Sequence, residues 1–282
     1  MAIQWYPGHM EKARREMVKD LKLIDLIIEI LDARAPFSTS NPEIDKLGEN
    51  KSRLLILNKS DMADERENKY WVEYFASKGR KALIVNSRSG AGIKDIEKTV
   101  AVICREKIER DRSRGIMNRP VRSMVVGIPN TGKSTFINAY TKKASAKTGN
   151  KPGVTRGKQW IRLGKNLELL DTPGILWPRI DDEKAGFHLA LLGSMNDNIL
   201  DQDELVRSFL LEMKERHPES LFAAYGITEE MGPEEALMAA AMRRNALKSG
   251  GLPDVEKAVR FILDDFRSGK LGRITLDPAR DL

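Results

Sequence analysis

A glycine-rich segment in the middle of the chain has the residue types of a phosphate-binding loop. Gly127, Gly132, Lys133 and Ser134 fit the spacing G-x4-G-K-S, and an apolar run at residues 123–126 precedes them. Glycines allow backbone N–H groups to surround phosphate oxygens, and a helix that begins at the lysine adds the positive end of its dipole. We therefore expect Lys133 to reach the β- and γ-phosphates of a nucleotide and the Ser134 hydroxyl to bind Mg²⁺.

Two polar positions beyond this loop could complete a metal and γ-phosphate site. Asp171 starts the sequence DTPG at the end of an apolar run, where its carboxylate could hold Mg²⁺ partly through water. The backbone N–H of Gly174 could then face the γ-phosphate. Thr155 lies between the two motifs. Its hydroxyl could join the Mg²⁺ shell only while the γ-phosphate is present, which makes it a candidate switch residue.

A third polar loop has the sequence NKSD, which contains the groups needed to select a base. The Asp61 carboxylate can accept hydrogen bonds from N1–H and the N2 amine of guanine, and adenine offers neither donor. The Lys59 stem can cover the ring face, and Asn58 can hold the loop in place. A backbone N–H in the loop of Asn86 and Ser87 can meet guanine O6.

Together these loops predict a guanine-nucleotide site. The residues expected to contact GTP are Asn58, Lys59, Ser60, Asp61, Asn86, Ser87, Asn130, Thr131, Gly132, Lys133, Ser134, Thr135 and Gly174. On the residues alone, NKSD could also be an ordinary polar loop after a strand, and the phosphate loop could belong to a small-molecule kinase. A kinase has no use for the base-selecting carboxylate, so competition between ATP and GTP separates these possibilities.

Apolar runs of strand length indicate the elements that must bring these loops together. Runs pass into polar loops within residues 23–34, 53–61, 82–90 and 123–135, and two further strands are expected within 158–163 and 167–174. Helical spacing predicts helices at 10–22, 64–78, 93–110, 183–193, 201–216, 233–248 and 253–268. We therefore expect an α/β domain over residues 1–178 and an all-helical domain, which would bind RNA or the ribosome, over residues 179–282.

Length and composition agree with this division and exclude several classes of protein. The chain has 282 residues, 41% hydrophobic and 32% charged, which is typical of about two globular domains. A single cysteine excludes an internal disulfide, and no apolar run reaches the ~20 residues of a membrane helix. The first residues have neither an apolar signal core nor a transit pattern, so we expect a cytoplasmic protein with no membrane partner.

Charge is divided unevenly along the chain. Residues 1–180 have a net charge of +14, whereas residues 181–282 have a net charge of −7. A basic front half favours an anionic partner, although solvated surface charge is the alternative explanation of any single basic run. The acidic remainder of the chain could instead meet basic proteins.

Three groups of basic residues are candidates for RNA contact, because lysine and arginine bind phosphates without reading sequence. The group near the phosphate loop is Lys142, Lys143, Lys147, Lys151, Arg156, Lys158 and Arg162. The group in the segment that precedes the phosphate-loop strand is Arg105, Lys107, Arg110, Arg112, Arg114, Arg119 and Arg122. The group in the acidic half is Arg243, Arg244 and Lys248.

The motifs and their order resemble those of a known family. The five motifs are similar to those of Ras-like, translation-factor-related GTPases, but the base-selecting loops precede the phosphate loop, which is a circular permutation. The whole chain resembles the ribosome biogenesis GTPase A family of large-subunit assembly factors. The resemblance rests on residues 5–10 (WYPGHM), 31–36 (LDARAP), 58–61, 127–135, 171–174 and 244–254 (RNALKSGGLPD).

This resemblance implies a fold, an activity and partners. It implies a circularly permuted phosphate-loop GTPase domain with a mostly parallel sheet, followed by an all-α domain. It implies a monomeric GTPase that uses Mg²⁺, binds the maturing large (50S) ribosomal subunit through rRNA and ribosomal proteins, and leaves after hydrolysis. Related GTPases with asparagine at the position of Asn130 use K⁺ there; the alternative is a residue merely tolerated in a tight loop.

The group that activates the attacking water is the open point of this prediction. Many GTPases place a glutamine directly after D-x-x-G, but here that residue is Ile175, which cannot orient water. The resemblance assigns the role to His9, in a turn ahead of the first helix, and so gives a catalytic set of His9, Lys133 and Thr155. The alternatives are that His9 only anchors the turn, or that the protein is a GTP-gated scaffold with negligible turnover.

Overall fold

The computed structural model divides the chain into two units. The first unit comprises Met1–Gly186 and Thr275–Leu282, and the second comprises Phe187–Ile274. The structure describes residues 8–117, 119–148, 160–163, 166–171, 182–195 and 201–281, and within these it describes only the backbone at residues 8–14, 143–148, 163 and 171. Among the described residues, no helix combines the length and apolar character needed to span a bilayer.

In the described part of the chain, six strands form one sheet in the first unit. They are β1 (Leu26–Asp32), β2 (Ser52–Asn58), β3 (Lys81–Ile84), β4 (Val121–Val126), β5 (Trp160–Leu163) and β6 (Leu167–Asp171). Their order is β3-β2-β1-β4-β6-β5, and every neighbouring pair is parallel except β5 with β6. The chain therefore reverses its direction of travel across the sheet between β1 and β4, the position where open α/β sheets bind ligands.

Helices cover both faces of this sheet, as the near-continuous burial of the strands requires. The helices of the first unit lie at α1 (Gly8–Leu21), α2 (Pro36–Thr39), α3 (Pro42–Leu47), α4 (Glu65–Ser77), α5 (Ile96–Ile103), α6 (Arg105–Ser113) and α7 (Lys133–Thr148). Met17 of α1 and Trp71 of α4 pack on one face, and Val100 of α5 and Phe136 of α7 pack on the other.

The regular secondary structure of the second unit, in its described residues, consists of helices joined by loops. Its helices are α8 (Glu183–Leu191), which begins in the first unit, α9 (Gln202–Arg216), α10 (Pro218–Tyr225), α11 (Pro233–Arg243) and α12 (Val255–Ser268). The rings of Phe209 and Phe266, with centroids 4.8 Å apart, join α9 to α12 in its core. His188 is fully buried, with its Nε2 atom 3.3 Å from a carboxylate oxygen of Glu212.

The strands and most helices lie where the sequence predicts them, and the differences have local causes. The single helix expected over 93–110 is a 3₁₀ turn followed by α5 and α6, which meet at Cys104. The helix expected over 233–248 ends at Arg243, because Asn245 adopts a left-handed φ of 51°. The short helices α2, α3 and α10 were not predicted, since each is too short to show helical periodicity.

The division into units also differs from the predicted one. The expected boundary between residues 178 and 179 lies outside the described residues, and the observed units meet at Gly186 and Phe187. The last residues of the chain, Thr275–Leu282, rejoin the first unit instead of completing the helical one. Long-range hydrogen bonds cause this return, such as the 2.7 Å bond from the Ser38 N–H to Asp277.

Candidate nucleotide-binding site

The carboxyl ends of four neighbouring parallel strands bring the predicted loops to one edge of the sheet. The loops begin after Asp32 at the end of β1, Asn58 at the end of β2, Val85 just after β3 and Val126 at the end of β4. Asp171 at the end of β6 is paired in register with Val125 of β4. Residues that are far apart in sequence therefore meet beyond the carboxyl ends of the neighbouring strands β1 and β4.

The phosphate loop connects β4 to α7 and approaches its neighbours closely. Gly132 has a φ of 88°, and a Cβ atom there would lie 2.4 Å from Asn58 Nδ2, so only glycine fits. A Cβ atom at Gly127 would lie 2.8 Å from the carbonyl oxygen of Ile30. The buried Thr131 hydroxyl donates a 3.0 Å hydrogen bond to the Ile128 carbonyl, which closes the loop on itself.

Asn58 joins the three loops of the predicted site. Its Nδ2 group donates to the Thr131 carbonyl at 2.8 Å, which connects the base-selecting loop to the phosphate loop. Its Oδ1 atom accepts from the Ser87 N–H at 3.2 Å and from the Ser87 hydroxyl at 2.7 Å. Asn58 and Ser87 are both buried, so this amide holds the loops together without contacting solvent, in agreement with its predicted anchoring role.

Lys59 makes a second connection between the loops. Its ammonium group lies 2.8 Å from Asp32 Oδ2 and donates to the Asn130 carbonyl at 2.5 Å. Lys59 and Asn130 both have left-handed φ values, 57° and 65°. Such backbone is uncommon outside glycine and persists only where surrounding contacts hold it.

The carboxylate of Asp32 is the buried anchor of this connection. Arg34 donates to it from Nε at 2.9 Å and from NH2 at 2.8 Å, in a bidentate pair that is almost fully buried. Burial alone would raise the pKa of Asp32, but the charges of Arg34 and Lys59 outweigh it and hold that pKa well below its usual value. Asp32 therefore stays ionised near neutral pH and keeps Lys59 in place.

Several groups at the same edge remain accessible for a ligand. The Asp61 carboxylate is exposed and has no hydrogen-bond partner among the described residues. The Ser134 and Thr135 hydroxyls are exposed at the first turn of α7, where the helix dipole favours anions. Asn86 accepts hydrogen bonds from the N–H groups of Arg88 and Ser89, which shapes the loop after β3.

Some predicted site residues lie outside the described residues, and others are described only by their backbone. Thr155 and Gly174, together with Ile175, lie outside the described residues. Asp171 and His9 are described by their backbone alone. Helix α1 begins at Gly8, so the backbone of His9 lies in its first turn and not in a turn ahead of the helix.

Asp32 and Arg34 were missed as functional residues by sequence reasoning. They belong to the LDARAP segment, which was recognised as a family feature without a role for either side chain. A usable signal existed, because a carboxylate directly after a buried strand needs a cation, and Arg34 follows two residues later. The pairing with Lys59, in contrast, depends on the neighbouring strand β2.

Comparison with known proteins connects this geometry to a family. Residues 122–218 match the family described as 50S ribosome-binding GTPase. Over 280 residues, which are 98% of this chain and 94% of the other, the sequence is 45% identical to ribosome biogenesis GTPase A of Bacillus cereus. This chain belongs to the ribosome biogenesis GTPase A family.

Other members of the ribosome biogenesis GTPase A family support the fold and the activity. The one from Thermotoga maritima is 34% identical over 99% of this chain and 96% of its own length. The crystal structure of GNP-bound YlqF from T. maritima is 31% identical and has a TM-score of 0.69, covering 96% of this chain and all of that one. The predicted fold class, with its permuted motif order, is thereby confirmed.

The predicted activity is confirmed as well: as a member of this family, the chain is a GTPase. The small-molecule kinase and the scaffold without turnover are therefore set aside. GTPases of this family generally use Mg²⁺.

Proposed function

We propose that this GTPase binds the maturing large ribosomal subunit, through rRNA and ribosomal proteins, and is released after GTP hydrolysis. The observation that carries the proposal is the 45% identity to a ribosome biogenesis GTPase A along almost the whole chain. The match of residues 122–218 to 50S ribosome-binding GTPases supports the choice of the large subunit. The family also supports a cytoplasmic location, and we propose that the protein acts there as a monomer.

The arginines after α5 are the best-supported RNA contacts. Arg110, Arg112, Arg114 and Arg119 are exposed and form no ion pair among the described residues. They remain available to bind phosphate groups, which supply sequence-independent affinity.

The other basic residues of the same segment are less available. Arg105 pairs with Glu109 at 2.8 Å, Lys107 lies 3.1 Å from both Asp25 and Asp111, and Arg122 pairs with Glu168. These contacts narrow the predicted RNA group of this segment to the four arginines without ion pairs.

The remaining residues predicted to contact RNA also differ in whether an ion pair already occupies their side chains. Lys142, Arg162 and Arg243 are exposed without an ion pair in the described part of the chain. Arg244 is paired with Asp265, and Lys248 lies 3.7 Å from Glu256. The side chains of Lys143, Lys147, Lys151, Arg156 and Lys158 lie outside the described residues.

For GTP itself, we propose the roles that the motifs predict. Lys133 binds the β- and γ-phosphates, Thr131 and Gly132 surround them with backbone N–H groups, and Asp61 holds guanine. The exposed Ser134 hydroxyl and the position of Asp171, at the end of a strand that neighbours β4, fit the oxygen ligands that Mg²⁺ requires. Thr155 would complete that set. When bound there, Mg²⁺ neutralises charge on the phosphate oxygens.

We expect GTP hydrolysis to depend on K⁺ through the side chain of Asn130. Replacing KCl with NaCl should slow single-turnover hydrolysis at least about tenfold, because a cation near the α- and γ-phosphates stabilises transition-state charge. Asn130→Gly should be slow in both salts. Glycine is the matched replacement, because it adopts the left-handed φ of 65° without strain. Equal rates of the natural protein in both salts would contradict the K⁺ site.

We expect binding to large subunits to depend steeply on salt and on GTP. Each phosphate contact contributes a log–log slope of about −0.9 on duplex DNA, and RNA should behave similarly in kind. Arg112→Gln and Arg119→Gln should each make the slope less steep by about one. Arg105→Gln is the control, since that arginine is already paired with Glu109 and should leave the slope unchanged. A slope near zero would show that protein contacts dominate instead.

A further inference from the structure

The end of the chain makes specific contacts close to the candidate nucleotide site. Residues 275–281, here called the C-terminal clasp, belong to the first unit although the helical unit precedes them in sequence. Thr275, Leu276 and Asp277 are 3%, 1% and 8% exposed. Such burial of two polar side chains requires hydrogen-bond partners that hold the segment in place.

One side of the clasp holds the loop after β1, a name used here for residues 33–39, which include the short helix α2. The Leu276 N–H donates to the Arg34 carbonyl at 2.7 Å. The carboxylate of Asp277 accepts hydrogen bonds from the Ser38 N–H at 2.7 Å and from the Ser38 hydroxyl at 3.1 Å. Arg34 is the residue that binds Asp32, so the clasp contacts the same loop that keeps Lys59 in place.

The other side of the clasp holds the beginning of α4. The Thr275 hydroxyl accepts from the Asp64 N–H at 3.1 Å. The Trp71 indole N–H donates to the Asp277 carbonyl at 2.7 Å, and both residues are buried. Asp277 therefore connects α4 to the loop after β1 through its backbone and its side chain.

Helix α4 leads directly to the base-selecting loop. Asp64 caps the helix by accepting from the N–H groups of Arg66 and Glu67, and it follows Asp61 by three residues. Farther along α4, the Asn68 Nδ2 group donates to the Ser60 carbonyl at 3.2 Å. A displacement of the first turns of α4 would therefore move the loop that carries Asp61.

We propose that the C-terminal clasp is a positioning element for guanine recognition, which holds the loop after β1 and the start of α4 so that Lys59 and Asp61 keep their places. The proposal rests on the guanine-binding role assigned to Asp61 above. An exposed carboxylate on a loop binds a base well only if the loop is already ordered, because otherwise the ordering entropy is paid on binding. The clasp contacts remove part of that cost before GTP arrives.

The test compares GTP with inosine triphosphate, whose base lacks the N2 amine. Asp277→Ala removes both acceptors of Ser38, and we expect GTP affinity to fall about tenfold, within the range typical of coupled sites. Inosine triphosphate uses one Asp61 hydrogen bond fewer, so its affinity should fall less and the preference for GTP should shrink. Asp277→Asn, which keeps one acceptor, should restore part of that preference.

Controls separate this role from general stabilisation. Arg280→Ala changes an exposed side chain of the same segment and should leave both affinities unchanged. Ser38→Ala removes the 3.1 Å hydroxyl contact and keeps the backbone N–H bond to Asp277, so it should fold if Asp277→Ala does not, and it should shift the preference in the same direction. Thermal unfolding of each nucleotide-free variant shows that the folded protein is being measured.

Two outcomes would overturn the proposal. One is unchanged GTP affinity in folded Asp277→Ala or, if that variant does not fold, in Ser38→Ala. The other is an equal loss of affinity for GTP and inosine triphosphate in that same variant. The measurement uses the isolated protein, so a failure to bind ribosomal particles cannot affect it. The guanine-binding assignment itself is tested separately by Asp61→Asn.

Discussion

Replacement of Asp61 by asparagine should turn this GTPase from a guanosine-nucleotide enzyme toward a xanthosine-nucleotide one. The Asp61 carboxylate is exposed at the site edge and has no hydrogen-bond partner among the described residues, so it is free to accept from guanine. The asparagine amide keeps one neutral carbonyl acceptor, but its N–H₂ group faces the other of the two guanine donors, N1–H and the N2 amine, so one hydrogen bond is lost and the other no longer involves a charged group. Xanthine has a carbonyl at C2, which can accept from that amide.

The expected size follows from two hydrogen bonds to a charged group. The lost bond is worth about 1.5–3 kcal/mol and the change of the other from charged to neutral about 1–1.5 kcal/mol, so GTP affinity should fall roughly 10²–10³-fold. Equilibrium binding of GTP and xanthosine triphosphate to both proteins measures the change. Glu65→Gln, which neutralises an exposed carboxylate nearby on α4, serves as the control and should bind GTP normally. Equal GTP affinity of Asp61→Asn and the natural protein would refute the base-selecting role.

Loss of the imidazole in His9→Ala should slow particle-stimulated GTP hydrolysis and leave GTP affinity nearly unchanged. Ile175 cannot orient the attacking water, so another group must. The backbone of His9 lies in the first turn of α1, a helix whose later residues Met17 and Leu21 are packed on the sheet. We expect a bound partner to hold this first turn so that His9 faces the γ-phosphate.

A water-orienting base typically contributes ~10²–10⁴-fold, and we expect a drop of that size in the rate stimulated by large subunits. The basal rate of the free protein should change less, and the variant should stay longer on particles because release waits for hydrolysis. His217→Ala, at a half-buried histidine in the helical unit, is the matched control. A stimulated rate of His9→Ala within about twofold of the natural one would leave His9 as a structural anchor.

Local chemistry explains why the strands and the nucleotide motifs could be predicted. Apolar runs of strand length ending in polar loops predicted the strands, since parallel strands are buried on both faces. Carboxyl ends of parallel strands share one edge, so Asn58, Lys133 and Asp171 could be assigned to one site before their distances were known. The motif order alone indicated the permutation, which the full-length family relationship confirms.

Contacts between distant residues could not be predicted in this way. Asp32 holds Lys59 because β1 and β2 are neighbours in the sheet, and Asn58 reaches Thr131, 73 residues away, because β4 lies beyond β1. Likewise, the ion pairs of Arg105, Lys107 and Arg122 reduce the predicted RNA group to four arginines. Periodicity and charge counts do not report which partner a side chain meets.

The amino-acid sequence by itself determined the fold class and the permuted order of the motifs, and it predicted the residues that bind a guanine nucleotide, because each depends on local spacing and residue chemistry. Only the tertiary structure decided where the chain divides and that Asp277 returns to Ser38, 239 residues earlier. The physical reason is that hydrogen bonding and burial depend on the distance between residues in the folded chain and not on their separation in sequence. A buried segment such as 275–278 has no local signature, since its partners are provided by the loop after β1 and by α4.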